Sequence, residues 1–196
     1  MRNQTEFGIT MKPSFIRQID LRKKKVVRKH NKSSNMNEIS DICSTSDDKY
    51  LFSLNPSGII NQYNIKTNRL IKVINFAERK LPDSLIHLGS ALFYSMKTSN
   101  DRKYLLVKVY NGTVYQFEIK TGKLVNHEKF IYELSLQNIE PLLFECTQDS
   151  KYLFVATDEG NLYQLELESQ KLVKCYKKFL GLHRMTKILI TADSKY

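Results

Sequence analysis

A tandem repeat with a period of 44 to 54 residues restricts the folds that this chain can adopt. Each copy holds an Asp, then Lys-Tyr-Leu after one further residue, then a Gly nine residues past the Lys. A Gln follows four residues after the Gly, and an apolar pair lies eight residues beyond the Gln. Three full copies align without gaps: DDKYLFSLNPSGIINQYNIKTNRLI from Asp47, DRKYLLVKVYNGTVYQFEIKTGKLV from Asp101 and DSKYLFVATDEGNLYQLELESQKLV from Asp149. Because several residue types recur in register, the sequence predicts an array of like structural units.

Incomplete copies of the repeat precede and follow the three full ones. Residues 14–32 match the second half of the pattern, with Gln18 at the Gln position, and residues 185–196 match the first half. We therefore predict a single domain, or a fragment of one, over residues 14–196, which follows an N-terminal tail over residues 1–13. Its full units are predicted at 38–76, 90–130 and 141–179.

The local chemistry of one unit predicts four short strands. A Ser or Thr two residues ahead of the Asp completes a tight turn, in which the Asp side chain bonds its own backbone. The YLF or YLL run that follows suits a strand buried on both faces, and the alternation after the Gly is that of a second such strand. Gly suits the intervening turn because positive φ costs it little. The predicted structural turn residues are Asp47, Asp101, Asp149, Asp193, Gly58, Gly112 and Gly160.

Four antiparallel strands in each unit, with no helical period, are typical of one β-propeller blade. The predicted fold class is therefore all-β, with about three complete blades and partial blades at both termini. Since a blade buries both faces only between neighbours, an open arc would expose apolar surface. We expect the chain to be a fragment of a propeller of roughly six to eight blades. Self-association through open blade faces is the lesser option.

A pair of residues that ends the third predicted strand carries a resemblance to a known family. This pair and the Asp-Xaa-Lys turn resemble degenerate WD repeats over residues 14–196. The sequence has no Trp, and no Gly-His dipeptide opens a unit, so the hydrogen-bonded tetrad of that family cannot be assembled. The string GTVYQFEIKTGKLV equally resembles the blades of pyrroloquinoline-quinone-type propellers. The pairs are Ile19-Asp20, Tyr63-Asn64, Phe117-Glu118 and Leu165-Glu166.

Positive charge is concentrated near the N-terminus. The formal charge of the chain is +11, and residues 12–32 hold nine basic residues and one acid. Such a run is typical either of contact with nucleic acid or an acidic surface, or of a solvated turn. The turn is favoured because 23 of the basic residues are Lys and 8 are Arg, the better phosphate ligand. The candidate basic contact patch is Arg22, Lys23, Lys24, Lys25, Arg28 and Lys29.

The sequence offers no catalytic constellation. None of the four His residues has metal-ligand spacing to another His or to a Cys, and we expect His30 and His127 at the surface. The Asp residues recur at equivalent positions, whereas an active site needs unlike residues that converge once. We therefore predict no catalytic residue, no metal site and no cofactor. The recurring Gln either lines a channel or satisfies polar groups between blades, and the second interpretation is favoured.

The resemblance to WD repeats implies a non-catalytic scaffold for other proteins, which would be contacted through the third turns and the linkers at 77–90 and 131–140. Binding of nucleic acid or an acidic surface is the alternative, and a quinoprotein-like propeller is less favoured. No apolar run approaches the roughly 20 residues of a membrane span. The N-terminal residues lack the apolar region of a secretory signal peptide. We expect the three Cys residues to be free thiols in a reducing compartment. We expect an intracellular protein, cytoplasmic in the first instance, with the nucleus as the alternative.

Overall fold

The structure is a computed structural model that describes residues 5–11, 14–20, 22–30, 38–75, 93–109, 114–126, 141–169, 171–177 and 188–191. All regular structure in these ranges is β-strand. The chain divides into two compact units, Met1–Ser95 and Met96–Tyr196.

The first unit contains two antiparallel sheets, here called blades 1 and 2. Blade 1 has three strands in the order β1-β2-β3, and blade 2 has four in the order β4-β5-β6-β7. The strands of blade 1 are β1 (Thr5–Met11), β2 (Ser14–Asp20) and β3 (Lys25–His30). Those of blade 2 are β4 (Asp41–Ser44), β5 (Tyr50–Leu54), β6 (Ile59–Asn64) and β7 (Leu70–Asn75).

Two further sheets, blades 3 and 4, each have four antiparallel strands in sequential order. The boundary between the two units, at Ser95 and Met96, falls within the first strand of blade 3. The strands of blade 3 are β8 (Phe93–Thr98), β9 (Tyr104–Val109), β10 (Val114–Glu118) and β11 (Leu124–Asn126). Those of blade 4 are β12 (Pro141–Cys146), β13 (Tyr152–Thr157), β14 (Leu162–Glu166) and β15 (Leu172–Tyr176). The predicted all-β fold of three complete blades and an incomplete N-terminal one is confirmed.

The predicted N-terminal tail is wrong for most of its length, since Thr5–Met11 forms β1. This strand pairs with β2 from Thr5 opposite Asp20 to Met11 opposite Ser14. The sequence signal was its period of two, with Phe7, Ile9 and Met11 at alternate positions. Of the predicted C-terminal unit, residues 188–191 are described and carry no strand, while Asp193 lies outside the described residues.

One hydrogen-bonded turn recurs in all three complete blades. In blade 2 the Thr45 hydroxyl donates to Asp47 Oδ1 (2.6 Å) and accepts from the Tyr50 N–H (3.1 Å). Asp47 Oδ1 also accepts from the Lys49 N–H at 3.2 Å. The same three bonds recur around Asp101 and Asp149. The repeated Asp thus closes the turn between the first and second strands.

The turns that follow also use repeated residues. Gly58 and Gly160 have φ of 82° and 83°, so only Gly fits there without strain, while Gly112 lies outside the described residues. The polar residue that ends the third strand then caps the third turn. Asp20 Oδ1 accepts from two backbone N–H groups, and Asn64 Oδ1 accepts from the Thr67 N–H at 2.8 Å.

The last strand of each blade carries a β-bulge at the same place. Its register with the preceding strand shifts directly after the repeated Gln, so that one residue of the last strand has no partner. A bulge twists an edge strand and interrupts its ladder, which blunts edge-to-edge aggregation. The four bulged residues are Val27, Ile71, Val125 and Val173.

The apolar core of each unit lies between its two blades. In the first unit, Ile16 of blade 1 packs with Leu51, Tyr63 and Ile65 of blade 2. In the second unit, a larger cluster joins the two blades and consists of Leu106, Val114, Phe144, Cys146, Leu153, Val155, Leu165 and Leu167. Since the strands alternate, each blade contributes one row of side chains to this contact.

Removal of the turn hydroxyl should destabilise the second unit. Thr147 is buried, so Thr147→Val leaves the Tyr152 N–H without its side-chain acceptor and removes the hydroxyl donor of Asp149. We expect a loss of about 1–2 kcal/mol in the free energy of unfolding, measured by urea denaturation. The matched control is Thr121→Val, whose exposed hydroxyl bonds Glu118. Equal effects of the two substitutions would contradict the assigned role of this turn.

Two substitutions at positive φ should act in opposite directions. Gly58→Ala places a Cβ at φ 82°, and we expect a loss of about 1 kcal/mol or more. Asp48→Gly removes the Cβ of an exposed residue at φ 54° and so relieves its backbone strain. The free energy of unfolding should therefore stay unchanged or rise slightly. Thermal melting of both variants tests this, and a destabilised Asp48→Gly beside a neutral Gly58→Ala would refute it.

Candidate interaction surface

The four Gln residues of the repeat are buried: Gln18, Gln62, Gln116 and Gln164. By strand alternation, Gln18 shares the face of β2 that carries Ile16, which packs on blade 2. Likewise Gln116 shares the face of Val114, which packs on blade 4. Gln18 and Gln116 thus lie in the contact between the two blades of their unit. In blade 4 the Tyr176 hydroxyl donates to Gln164 Oε1 (3.1 Å), so this amide has a side-chain partner.

His30 is buried, which corrects the prediction that it lies at the surface. It is 1% exposed, pairs in register with Ile16, and its ring meets that of Tyr63 edge-on at 5.8 Å between centroids. Within the described residues neither ring nitrogen has a hydrogen-bond partner. Burial, and secondarily the nearby Arg28, lower the pKa of His30 below its ordinary 6.5. The imidazole is therefore neutral in the contact between blades 1 and 2.

The basic patch predicted from the sequence divides into two parts. Arg22, Lys23 and Lys24 form the exposed turn between β2 and β3, and Lys25 continues it as the exposed first residue of β3. Arg28 instead donates from Nη1 to the Ile65 carbonyl oxygen of blade 2. The four exposed residues are free to meet a partner in solvent, whereas Arg28 positions one blade against the other.

Exposed apolar residues lie on the last strand of each blade in the first unit. Val26 and Val27 of β3 and Leu70, Ile71 and Val73 of β7 are 43–52% exposed. The Asn68 side chain donates to the Lys29 carbonyl oxygen (2.9 Å), which holds the turn before β7 against β3. We call this area the basic-apolar surface: Lys25, Val26, Val27, Lys29, Lys66, Arg69, Leu70, Ile71 and Val73.

Sequence reasoning did not find this surface. The apolar pair eight residues past each Gln suggested a strand, but not that both members of the two pairs in the first unit are exposed. The repeated bulge at the second member of the pair contributes to this exposure, since a bulge leaves one residue outside the ladder. A pair of adjacent apolar residues followed by Lys or Arg was the signal available, as in Val26-Val27-Arg28 and Leu70-Ile71-Lys72.

Two further titratable side chains, Cys146 and Tyr115, are buried in the packed core. Burial raises the pKa of the Cys146 thiol to about 12, so it is not a thiolate at neutral pH. Burial also raises the pKa of Tyr115. In the part of the chain that the structure describes, no three His, Cys, Asp or Glu side chains are grouped as metal ligands would be. The same part contains no helix that is long and apolar enough to cross a membrane.

The comparisons with known proteins identify the fold. No protein-family model matches the sequence, and neither does any curated protein. The structure is similar to the β-propeller domain of Cps50 (Swd1) from Myceliophteria thermophila, with a TM-score of 0.68 and 11% sequence identity. The match covers 99% of this chain. The fold is that of a partial β-propeller. This chain spans 60% of that solved chain, and at such low identity the likeness carries the fold alone.

The buried His30 should make the first unit sensitive to acid. Because its folded-state pKa lies below 6.5, the unfolded chain binds the proton first as the pH falls. The contribution of His30 to the free energy of unfolding should therefore be fully present above the unfolded pKa of 6.5 and be lost progressively as the pH falls below it. We expect His30→Phe to reduce this slope, measured as the unfolding midpoint against pH. Gln18→Leu, which alters the same contact without a titrating group, should keep it. Equal slopes in wild type and His30→Phe would contradict the assignment.

Proposed function

We propose that this chain is a non-catalytic protein–protein interaction scaffold of the WD-repeat β-propeller type. The observation that carries the proposal is the structural use of the repeated polar residues. Within the described repeats, the recurring Asp residues close turns, Gly58 and Gly160 hold positive φ, and the Gln residues are buried. What the repeat leaves exposed is a set of turns and fourth strands that differ from blade to blade, which suits recognition of other proteins.

A second candidate function is binding of an acidic surface through the N-terminal basic segment. It is supported by residues 22–30 and 65–75, which together hold nine Lys or Arg and no Asp or Glu. An anionic surface would be attracted by this field, and the attraction would weaken with salt. The linkers at 77–90 and 131–140, also candidate contact loops, lie outside the described residues.

Capture of partners in matched variants tests the scaffold. We expect the purified chain to retain one or more proteins in near-stoichiometric amount from a nuclease-treated extract, at about 0.5 M NaCl, where surface charge is strongly screened. The matched control is Gly58→Ala/Gly160→Ala, which keeps the net charge but weakens two blades at φ 82° and 83°. Partners that need folded blades should be lost from this control.

Three results would contradict the proposed scaffold. The first is equal capture by wild type and the glycine double variant, which would make the binding independent of the blades. The second is co-purification of nucleic acid alone. The third is a bound redox chromophore with turnover, which would favour the quinoprotein-like alternative. Sedimentation of the purified chain separately measures self-association through open blade faces.

A further inference from the structure

We propose that the basic-apolar surface binds an acidic polypeptide segment that also carries aliphatic or aromatic side chains. This inference rests on the proposed scaffold function, because it names the kind of partner that one surface takes. It starts from two properties that coincide in the first unit. Five aliphatic side chains are 43–52% exposed, and the two segments that carry them contain nine basic residues and no acid.

The surface is held together by contacts between two blades. The Arg28 guanidinium donates to the Ile65 carbonyl oxygen, and the Asn68 amide donates to the Lys29 carbonyl oxygen at 2.9 Å. These bonds join β3 to the turn that leads into β7, so the two apolar pairs are carried by strands fixed within one compact unit. A preorganised surface of this kind loses little conformational entropy when a partner binds.

The charge pattern selects an anionic partner. Basic residues on one surface raise the association rate with, and the specificity for, a partner of complementary charge. In the first unit the carboxylate next to this surface, Asp20, is already engaged by the Arg22 and Lys23 N–H groups. Residues 22–30 and 65–75 supply no carboxylate of their own, so the exposed Lys25 and Lys66 add to the positive charge of this surface.

The aliphatic side chains favour a polypeptide over a nucleic acid. Single-stranded nucleic acids stack their bases on aromatic side chains, and residues 22–30 and 65–75 contain no Phe, Tyr or Trp. Phosphate-rich backbone would also leave Val26, Leu70 and Val73 without an apolar partner. A polypeptide supplies both carboxylates and apolar side chains.

The depth of these side chains disfavours a membrane. Interfacial binding requires apolar groups that enter about 5–10 Å into the lipid boundary. Val27 and Ile71 are 47% and 49% exposed, so about half of each side chain is already covered by the protein. Such residues lie nearly flush with the surface and suit a flat contact with another polypeptide.

The bulges indicate how the segment binds. At Val27 and Ile71 the ladder is interrupted, so the edge strands are poor templates for addition of a further strand. Binding therefore rests on side-chain contacts and ion pairs. The second unit repeats the bulge at Val125 and Val173, but its corresponding segments, 119–126 and 167–177, carry five basic residues and one acid. It provides a matched surface of weaker charge in the same chain.

Peptide binding to the full chain tests the proposal. The probe is a fluorescein-labelled 16-residue peptide of alternating acidic and aliphatic residues, followed by fluorescence anisotropy. We expect it to bind at least about tenfold more tightly than a peptide with Ser in place of the aliphatic residues, since burial of each aliphatic side chain favours binding. Duplex DNA and phosphatidylserine vesicles are compared under the same conditions, and both should bind more weakly.

Paired variants locate the binding surface. Val27→Ser/Ile71→Ser should weaken peptide binding by about tenfold. The matched change in the second unit, Val125→Ser/Val173→Ser, should alter it by less than about twofold. Lys25→Gln/Lys66→Gln should weaken binding and reduce its salt dependence. Thermal melting checks that each variant is folded. If a serine variant does not fold, the binding of the Lys25→Gln/Lys66→Gln variant still tests the proposal.

Several outcomes would overturn the proposal. They are tighter binding of DNA or vesicles than of the acidic-aliphatic peptide, equal effects of the two serine pairs, or no effect of either the first serine pair or the lysine pair. Failure of the peptide to bind, while the wild-type chain still captures proteins through folded blades, would refute this inference and leave the scaffold function standing. Absence of any captured protein would refute the scaffold function itself.

Discussion

A hydrogen bond between a buried hydroxyl and a carboxylate sets the geometry of every complete blade. Thr45, Ser99 and Thr147 each donate to the Asp two residues later, at 2.5–2.6 Å, and each accepts the first N–H of the second strand. This turn fixes the register between the first two strands. Because strand side chains alternate, the register decides which residues face the next blade and which face away. In the second unit the turns also bond directly across blades, since the Asp101 N–H donates to the Ser150 hydroxyl at 2.8 Å.

The two units meet the same packing requirement in different ways. In the second unit the described contact between blades combines an apolar cluster of eight buried residues with the Lys97–Glu145 ion pair. Two hydrogen bonds, from Asn100 and Asp101 to the turn of blade 4, add to it. In the first unit the described cluster has four members, and polar groups complete the contact: the bonds of Arg28 and Asn68 and the buried ring of His30. Polar bonds give less stability per residue than apolar burial but fix geometry more narrowly. Protonation of the buried His30 ring in acid should therefore weaken the contact between blades 1 and 2.

The fold followed from the sequence because its determinants are local and repeated. An Asp that closes a turn and a Gly at positive φ act within a few residues, so each copy carries the information for its own strands. Strand β1 was missed because it lies outside the repeat, although Phe7, Ile9 and Met11 alternate. The burial of His30 and the bond of Arg28 to Ile65 arise from contact between blades. The alternation of residues within one strand does not predict which of its side chains a neighbouring blade will cover.

The exposed apolar pairs show where structural and functional demands separate. In β3, His30 is buried and Arg28 joins the two blades, so packing accounts for these two residues. Packing does not account for the exposure of Val26, Val27, Leu70 and Ile71, which an edge strand could replace with polar residues at no cost to the core. The bulge already protects the edge, so these aliphatic residues are not needed as part of the ladder. The proposed acidic polypeptide would cover these aliphatic residues together with the basic residues beside them. The same pairs occur in the second unit, but residues 22–30 and 65–75 of the first unit carry the larger positive charge.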